Sequence, residues 1–262
     1  MQAEENRMAD RPLEGKVALV TGAYRNLGAV TAETLARHGA SLIVNDLDKP
    51  DLVGPGQALL ERLRAHDVRA AALTGDLSRA SEVARLCQEA LATFGRVDII
   101  VNNAGPFNMD PYLALEDATW DLIMNINLKA VYLTAKHLAP SMKANGWGRI
   151  VSMCAGSAFI RNHNVYTLAK AGVQVITESL ALELGPEITV NAVSPGQIFE
   201  SLPDIHAFDP TFGERYLART PAKRLIRRAE VAEMIAFFCL PSSGTITGVT
   251  IRLDGGAEIP RF

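Results

Sequence analysis

The feature that most constrains the fold is an alternation between short apolar runs and longer segments with helical spacing of apolar residues. The runs are rich in β-branched residues and are apolar on both faces, which is typical of parallel strands covered by helices on both sides. Such runs begin near Lys16, Leu42, Val68, Val97, Arg149, Ile188 and Val249. We therefore predict an α/β fold in which helices cover both faces of a parallel sheet.

Length and composition favour one globular domain that spans residues 1–262. Hydrophobic residues make up 48% of the chain, and no break in composition marks a linker. The longest irregular insertion covers residues 199–219, and long loops of this kind often serve as lids over binding sites. We expect a lid loop there.

Charge and cysteine usage narrow the class of partner and the compartment. The net charge of -3, without a long basic block, gives no sign of nucleic acid or an anionic membrane as a partner. No apolar run approaches the roughly 20 residues that cross a bilayer, and the N-terminus lacks the apolar centre of a signal peptide. The three scattered cysteines and five dispersed histidines show no metal-type spacing. We expect a cytoplasmic protein without a metal site.

Glycines between the first apolar run and the first helical segment predict a dinucleotide-binding loop. Gly22 and Gly28 delimit this loop, which also contains Arg25, Asn26 and Leu27. A tight turn here aims backbone amides and the positive end of a helix at a pyrophosphate. The strand before the loop and the helix after it make this pattern far more specific than glycines alone.

Asp46 ends the second run about 18 residues past Gly28, where a carboxylate accepts hydrogen bonds from the adenosine ribose hydroxyls. A phosphate on that ribose would be repelled. Arg25 instead favours NADP, because a guanidinium can pair with such a phosphate. We weight Asp46 more and predict NAD, with NADP as the alternative.

Tyr166 and Lys170 are candidates for acid/base chemistry. They are four residues apart in a predicted helix, so their side chains are neighbours. A tyrosine hydroxyl has a pKa near ~10 and ionises at neutral pH only with help from a nearby cation. The pair is therefore a candidate general acid/base for an alcohol oxygen.

Several ordered motifs resemble the short-chain dehydrogenase/reductase family in its single-domain form, over nearly the whole chain. They comprise the glycine loop, an Asn-Asn-Ala-Gly segment, a helix-borne asparagine, a Tyr-x-x-x-Lys pair and two later glycine motifs. In chain order these are residues 21–28, Asn102-Asn103-Ala104-Gly105, Asn127, Tyr166 with Lys170, Pro195-Gly196 and Asp254-Gly255-Gly256. The resemblance implies a doubly wound Rossmann fold with a seven-stranded parallel sheet, and reversible hydride transfer between a nicotinamide and a carbonyl or alcohol carbon.

The resemblance also implies roles for individual residues. Tyr166 would give a proton to the carbonyl oxygen or take one from the alcohol. Lys170 would hold the nicotinamide ribose and lower the tyrosine pKa, while Asn127 would position a water toward Lys170. The implied cofactor-binding residues are Gly22, Arg25, Asn26, Leu27, Gly28, Asp46, Asp76, Leu77, Asn103, Ala104, Gly105, Tyr166, Lys170, Pro195, Gly196 and Ile198.

Two departures from the family pattern bear on the site. Asn26 stands where the family usually has its second glycine, although Asn tolerates a positive φ better than most residues. The family's catalytic serine is also missing, because counting back from the tyrosine reaches Met153 and counting along the strand reaches Ala155. Ser157 and Ser152 lie close by, and Ser157 is the better placed of the two.

The substrate is expected to be a small-molecule alcohol or carbonyl compound. Candidate substrate residues are Phe107, Ser157, His163 and Phe199. Family resemblance suggests a homotetramer or homodimer that packs through the helix after Asn127 and the helix carrying Tyr166. An apolar face on the latter helix comprises Val173, Ile176, Leu180 and Leu184, but burial within the subunit explains it equally well.

The leading hypothesis from the sequence is an NAD-dependent oxidoreductase acting on a secondary alcohol or ketone. An NADP-dependent carbonyl reductase is the alternative if NADP binds more tightly than NAD. The missing serine also leaves open a nucleotide-binding sensor or scaffold with little turnover. Such a protein would bind the cofactor without turning over any alcohol or carbonyl compound.

Overall fold

The structure, a computed structural model, describes residues 11–156, 158, 164–207 and 209–259. Each predicted strand is confirmed, with its first residue within two positions of the prediction. The strands are β1 (Val17–Thr21), β2 (Ser41–Asp46), β3 (Ala70–Thr74), β4 (Ile99–Asn102), β5 (Gly148–Met153), β6 (Ile188–Pro195) and β7 (Thr250–Leu253).

The strands form one parallel sheet in the order β3-β2-β1-β4-β5-β6-β7. The predicted doubly wound, seven-stranded sheet is therefore confirmed. The strand order reverses between β1 and β4, and the chain leaves these two strands in opposite directions. In sheets of this kind the crevice outside the carboxyl ends of the strands at this point is where ligands bind.

Helices cover both faces of the sheet. They are α1 (Asn26–Arg37), α2 (Pro50–Arg64), α3 (Ala80–Phe94), α4 (Asp117–Met124), α5 (Ala130–Ala144), α6 (Val165–Leu184), α7 (Leu202–His206), α8 (Phe212–Arg219) and α9 (Arg228–Cys239). Among the described residues, none of the helices is long and apolar enough to cross a membrane.

Successive side chains of β1 enter opposite layers, as the two-residue period of a strand requires. Val20 packs in the layer that contains Leu35 of α1, whereas Leu19 packs in the layer that contains Leu86 of α3. Both β1 side chains are fully buried. Because burial of each such side chain contributes about 1.5–3 kcal/mol, the central strands need both helical layers.

The predicted lid segment is more regular than the sequence indicates. Residues 199–219 contain a short 3₁₀ turn followed by α7 and α8, not an irregular loop. Tyr216 of α8 packs with Leu225 and Ala257 in a small separate cluster, against which Phe212 also lies. This packing on distant parts of the chain stabilises helices that are too short to be stable alone.

The apolar face predicted on α6 is largely internal. Val173 and Leu184 are buried in the subunit, and Ile176 and Leu180 pack against the core beside them. Of the two explanations for this face, burial within the subunit is therefore the one that holds. The exposed apolar side chains of α6 are Leu168, Val175 and Leu182.

Candidate active site

The chain between β1 and α1 forms a tight turn at the carboxyl edge of the sheet. Gly22 has a φ of 61°, and a Cβ on Gly28 would overlap the carbonyl oxygen of Gly22. Glycine is the residue that fits both positions without strain. Asn26 has a φ of 54°, so it adopts the left-handed conformation that asparagine tolerates.

The Asn-Asn-Ala-Gly segment after β4 holds this turn in place. The Asn103 side-chain amide donates to the carbonyl oxygens of Thr21 at 2.9 Å and Gly22 at 3.0 Å. In return, the Thr21 hydroxyl accepts from the backbone N–H of Ala104 at 3.1 Å. The segment therefore fixes the loop from the neighbouring strand, a role that the sequence motif alone does not specify.

A cleft of about 550 Å³ opens at this edge, between the ends of β1, β2 and β4. Most of the predicted cofactor residues line it, namely Gly22, Arg25, Asn26, Leu27, Gly28, Asp46, Leu77, Asn103, Ala104 and Gly105. The position suits a dinucleotide, because the cleft lies at the amino end of α1, where backbone N–H groups and the helix dipole attract a pyrophosphate. Sequence reasoning missed Lys49 and Leu122 in its lining.

Asp46 is fixed at the floor of this cleft. Its carboxylate accepts hydrogen bonds from the backbone N–H groups of Leu47 at 2.9 Å and Tyr24 at 3.2 Å. Each oxygen keeps capacity for a further donor, so the side chain can accept from ribose hydroxyls. Arg25 and Lys49 line the same cleft and are exposed.

Asp76 lies outside the cleft lining, unlike its neighbours Gly75 and Leu77. Its Oδ1 atom accepts from the backbone N–H of Ser78 at 2.9 Å and from the Ser78 hydroxyl at 2.7 Å. The carboxylate therefore stabilises the turn that precedes α3. The expected adenine contact from Asp76 remains a prediction.

Tyr166 and Lys170 lie in the first turns of α6 and face a second pocket of about 460 Å³. The Asn164 side chain accepts from the backbone N–H of Thr167 at 2.8 Å and so caps the helix. This pocket shares Leu27, Asn103 and Gly105 with the dinucleotide cleft, so the two cavities adjoin. Pro195, Gly196 and Ile198 also line it, as expected from the sequence.

Lys170 is 3% exposed, and its ammonium donates to the carbonyl oxygen of Met153 at 2.7 Å. Its Nζ atom lies 5.5 Å from the centroid of the Tyr166 ring. Burial lowers the pKa of Lys170 to about 8, an effect that Cys154 partly offsets. Burial, followed by the effect of Cys154, raises the pKa of Tyr166 above its usual value. Lys170 is not among the groups that shift this pKa, so the lowering of the tyrosine pKa expected from Lys170 remains a prediction.

Asn127 lies in a π-helical turn, Asn125–Lys129, between α4 and α5. Its side-chain amide donates to the carbonyl oxygens of Ile123 and Pro106, both at 3.0 Å. No described residue donates to its buried Oδ1 atom. A Cβ on Gly105 would overlap this oxygen and lie 3.4 Å from the Lys170 ammonium, so the absence of a side chain at Gly105 makes room for the Asn127 oxygen on the side of Lys170. π-helical turns of this kind often occur at functional sites.

The end of β5 carries no hydroxyl at either position where the family serine is expected. The carbonyl oxygen of Met153 accepts a hydrogen bond from the Lys170 ammonium, and Ala155 lines the pocket. Ser152 is fully buried, and its hydroxyl accepts from the Asn102 side chain at 3.3 Å, so the structure does not bring it to the pocket. Cys154 is also buried, and its thiol donates to the carbonyl oxygen of Lys170 at 3.3 Å.

The predicted substrate residues have different outcomes. Phe107 lines the pocket and packs edge-on against Tyr166, with 4.8 Å between the two ring centroids. Phe199 does not line it. Its side chain lines a neighbouring groove instead, where the Arg227 guanidinium lies 5.4 Å from the ring centroid. Ser157 and His163 lie outside the described residues.

The structure adds polar pocket residues that the sequence analysis did not select. Tyr216 and Arg219 come from α8, and Glu258 comes from the turn after β7. The Tyr216 hydroxyl accepts from the backbone N–H of Gln197 at 3.1 Å. Tyr216 and Arg219 fall within the predicted lid segment, but no local pattern marks Glu258.

Known proteins match the chain over almost its whole length. The family described as "Enoyl-(Acyl carrier protein) reductase" matches residues 22–258. Hydroxynaphthalene reductase-like protein Arp2 of Metarhizium acridum (strain CQMa 102) is 34% identical over 264 residues, which cover 94% of this chain and 96% of the relative.

Solved structures give the same result. A protein described as a short-chain alcohol dehydrogenase from Sinorhizobium meliloti 1021 has a TM-score of 0.88 and 29% identity, and the match covers 95% of this chain and 98% of the other. A gluconate 5-dehydrogenase from Burkholderia cenocepacia J2315, in complex with NADP and tartrate, has a TM-score of 0.87 and 28% identity, with 96% and 99% covered. The fold, the motifs and these relatives together establish that this chain belongs to the short-chain dehydrogenase/reductase family of oxidoreductases.

Proposed function

We propose that this protein is an NAD-dependent dehydrogenase or reductase that interconverts a secondary alcohol and a ketone. The observation that carries the proposal is that Tyr166 and Lys170 line a pocket that adjoins the dinucleotide cleft, while Asn127 lies beside Gly105 in its wall. The nicotinamide cofactor supplies or accepts the hydride when it is bound. The protein residues bind the substrate and move the proton.

Tyr166 is proposed to donate its phenolic proton to the substrate oxygen during reduction and to accept it during oxidation. Because burial disfavours its phenolate, a nearby positive charge is needed when the proton leaves, and the Lys170 ammonium is the cation beside it. The Asn127 oxygen and the Lys170 ammonium both lie next to Gly105. A water held there by the free Asn127 oxygen would return the proton to Tyr166 through Lys170.

A screen with NAD and NADP over secondary alcohols and ketones tests this function. Tyr166→Phe should lose turnover on every accepted substrate, by about 10²–10⁴-fold. Tyr132→Phe, which removes an exposed hydroxyl from α5, is the matched control and should retain wild-type rates. Turnover that survives Tyr166→Phe would refute the assigned mechanism.

The absence of a serine at the end of β5 supports a second candidate, a nucleotide-binding sensor with little turnover. Of the residues there, Met153 and Ala155 have no hydroxyl, and the Cys154 thiol is committed to a backbone carbonyl. A sensor would bind the cofactor in a titration and turn over nothing in the same screen. Robust turnover that depends on Tyr166 would exclude it.

The preference for NAD rests on Asp46. Its carboxylate is fixed by two backbone N–H groups and lines the cleft, where it would accept from the ribose hydroxyls and repel a ribose phosphate. Arg25 and Lys49 in the same cleft favour the phosphate, and the Burkholderia cenocepacia relative is in complex with NADP. Fluorescence titrations should give tighter binding of NADH than of NADPH. The opposite order would assign the protein as an NADP-dependent carbonyl reductase.

We further propose that residues 1–262 form one domain in which α7 and α8 close over the pocket as a lid. Support comes from Ile205 of α7 and Tyr216 of α8, which both line the pocket. Saturating NAD together with a substrate should slow amide hydrogen exchange in residues 202–219. Unchanged exchange there would contradict the lid.

Association with a second copy is proposed along α6. Leu168, Val175 and Leu182 are 44%, 64% and 89% exposed and recur every seven residues, which places them on one side of the helix. Leu182→Glu should therefore lower the mass measured by light scattering after size-exclusion chromatography. A wild-type monomer in that measurement would refute the homotetramer or homodimer.

A further inference from the structure

Glu258 is a buried acid in the wall of the pocket that holds Tyr166 and Lys170. It follows the Gly255-Gly256 pair after β7 and is only 6% exposed. Its backbone is fixed on both sides, because its N–H donates to Asp254 at 3.0 Å and its carbonyl oxygen accepts from Arg252 at 3.1 Å. These two hydrogen bonds to the main chain of Glu258 therefore fix the position of the residue.

One oxygen of the carboxyl group has no hydrogen-bond partner among the described residues. Its Oε2 atom is buried, and none of the residues described in the structure donates a hydrogen bond to it. Burying a polar group without a partner costs about 1–3 kcal/mol, and buried polar groups are nearly always paired in native proteins. A carboxyl oxygen that is orphaned inside a ligand pocket is accordingly a candidate ligand contact.

The loop after β5 is shaped around this carboxyl. A Cβ added to Gly156 would lie 1.4 Å from the Oε1 atom of Glu258. The absence of a side chain at Gly156 thus provides the space that the carboxyl occupies. Ala155, immediately before it, also lines the pocket.

The groups around the carboxyl indicate what it binds. Burial, with help from Asp254, raises the pKa of Glu258 to about 7, while Arg252 and Arg219 act in the opposite direction. Its charge also acts on Tyr216 of α8 and on Cys154 after β5. At neutral pH both protonation states are therefore populated.

A hydroxyl is the ligand group that suits this environment. It can donate to the carboxylate or accept from the carboxylic acid. A ligand carboxylate would be repelled by the negative charges of Glu258 and Asp254, whereas a neutral hydroxyl would not.

We propose that Glu258 is a specificity-determining residue that binds a second, non-reacting hydroxyl of the substrate. The substrate class is thereby narrowed to secondary alcohols and ketones with a further hydroxyl. This inference rests on the proposed function for the identity of the reacting alcohol, but the hydroxyl contact itself does not depend on hydride transfer.

Cyclohexanol and the 1,2-, 1,3- and 1,4-cyclohexanediols form a matched probe set, because they share one ring and differ in the second hydroxyl. The wild-type protein should prefer one of the diols in kcat/KM. Glu258→Leu should reduce kcat/KM for that diol at least tenfold and change the value for cyclohexanol less than threefold. Glu258→Gln, whose amide both donates and accepts, should keep most of the preference.

Glu214→Leu is the matched control, because Glu214 is exposed on α8 and does not line the pocket. It should leave the diol preference at the wild-type value. If Glu258→Leu does not fold, Glu258→Ala removes the carboxyl without adding bulk and carries the same expectation.

A binding measurement separates this proposal from the proposed function. Calorimetric titration of the same four alcohols into NAD-saturated Tyr166→Phe protein, with and without Glu258→Leu, needs no turnover. Tighter diol binding that depends on Glu258 would support the proposal even if the wild-type protein oxidised no alcohol. Absence of oxidation by the wild type would refute the proposed dehydrogenase and leave the hydroxyl contact standing. Three results would overturn the hydroxyl contact: equal binding of the diols and cyclohexanol, no binding of any of the four alcohols, or a diol preference that survives Glu258→Leu.

Discussion

Gly156→Ala should displace the Glu258 carboxyl without changing its chemistry. The added Cβ would lie 1.4 Å from Oε1, whereas real Cβ atoms approach a neighbouring atom no closer than 3.0 Å. The oxygen must therefore retreat by at least about 1.6 Å if the backbone stays in place. A hydroxyl–carboxyl hydrogen bond has a length of about 2.5–3.0 Å and weakens steeply with distance and misalignment, so a shift of this size breaks it.

The expected loss follows from the value of that hydrogen bond. A hydrogen bond to a charged group contributes about 1.5–3 kcal/mol, which corresponds to roughly ten- to hundredfold in kcat/KM for the preferred cyclohexanediol. The value for cyclohexanol should hardly change. The fold should tolerate the substitution, because the atoms nearest the new Cβ belong to the end of a flexible side chain.

A double-mutant cycle with Glu258→Leu supplies the assay. If Gly156→Ala acts only through the carboxyl, it should cause no further loss of diol kcat/KM in the Glu258→Leu protein. Gly54→Ala, whose added Cβ meets no atom within 4 Å, is the control for a glycine-to-alanine change and should retain the wild-type values. Additive losses in the cycle, or a wild-type diol preference in Gly156→Ala, would refute the reasoning.

Three further outcomes follow from the site. Tyr166→Phe should lower kcat by about 10²–10⁴-fold and leave NADH affinity in a fluorescence titration within about threefold. Asp46→Ala should shift the ratio of NADPH to NADH affinity at least tenfold toward NADPH in the same titration, since the carboxylate no longer repels a phosphate. Burial lowers the pKa of Lys170 from 10.5 to about 8, so between these values the unfolded chain holds a proton that the folded chain has released. Over that range the unfolding free energy of the wild type should rise with pH relative to Lys170→Met in urea titrations.

The sheet and the dinucleotide loop were predictable from the sequence because their signals are local. Leu19 and Val20 belong to an apolar run that is typical of a strand buried on both faces, and the structure places them in opposite layers. Gly22 and Gly28 occur where a strand meets a helix, and backbone geometry requires glycine at both positions.

The features that the sequence missed depend on distant contacts. Helices α7 and α8 are stabilised by packing of Tyr216 on Leu225 and Ala257, which no local pattern reveals. Burial raises the pKa of Tyr166, and the spacing from Lys170 carries no information about that burial. Glu258 has no motif of its own and enters the pocket only because the turn after β7 meets Gly156.

The missing serine and the orphaned carboxyl together predict how the effect of Glu258 divides between kcat and KM. At the end of β5, Ala155 offers no hydroxyl to orient the reacting oxygen, so orientation beside Tyr166 depends more on contacts elsewhere on the substrate. Binding energy from a remote group can be used to position the reacting atoms, and its loss then lowers kcat. In Glu258→Leu, kcat for the preferred diol should therefore fall at least threefold, in addition to any rise in KM, under steady-state conditions with saturating NAD. A rise in KM with kcat unchanged would mean that Glu258 binds the hydroxyl equally in the ground state and the transition state, and that it has no part in positioning the reacting oxygen.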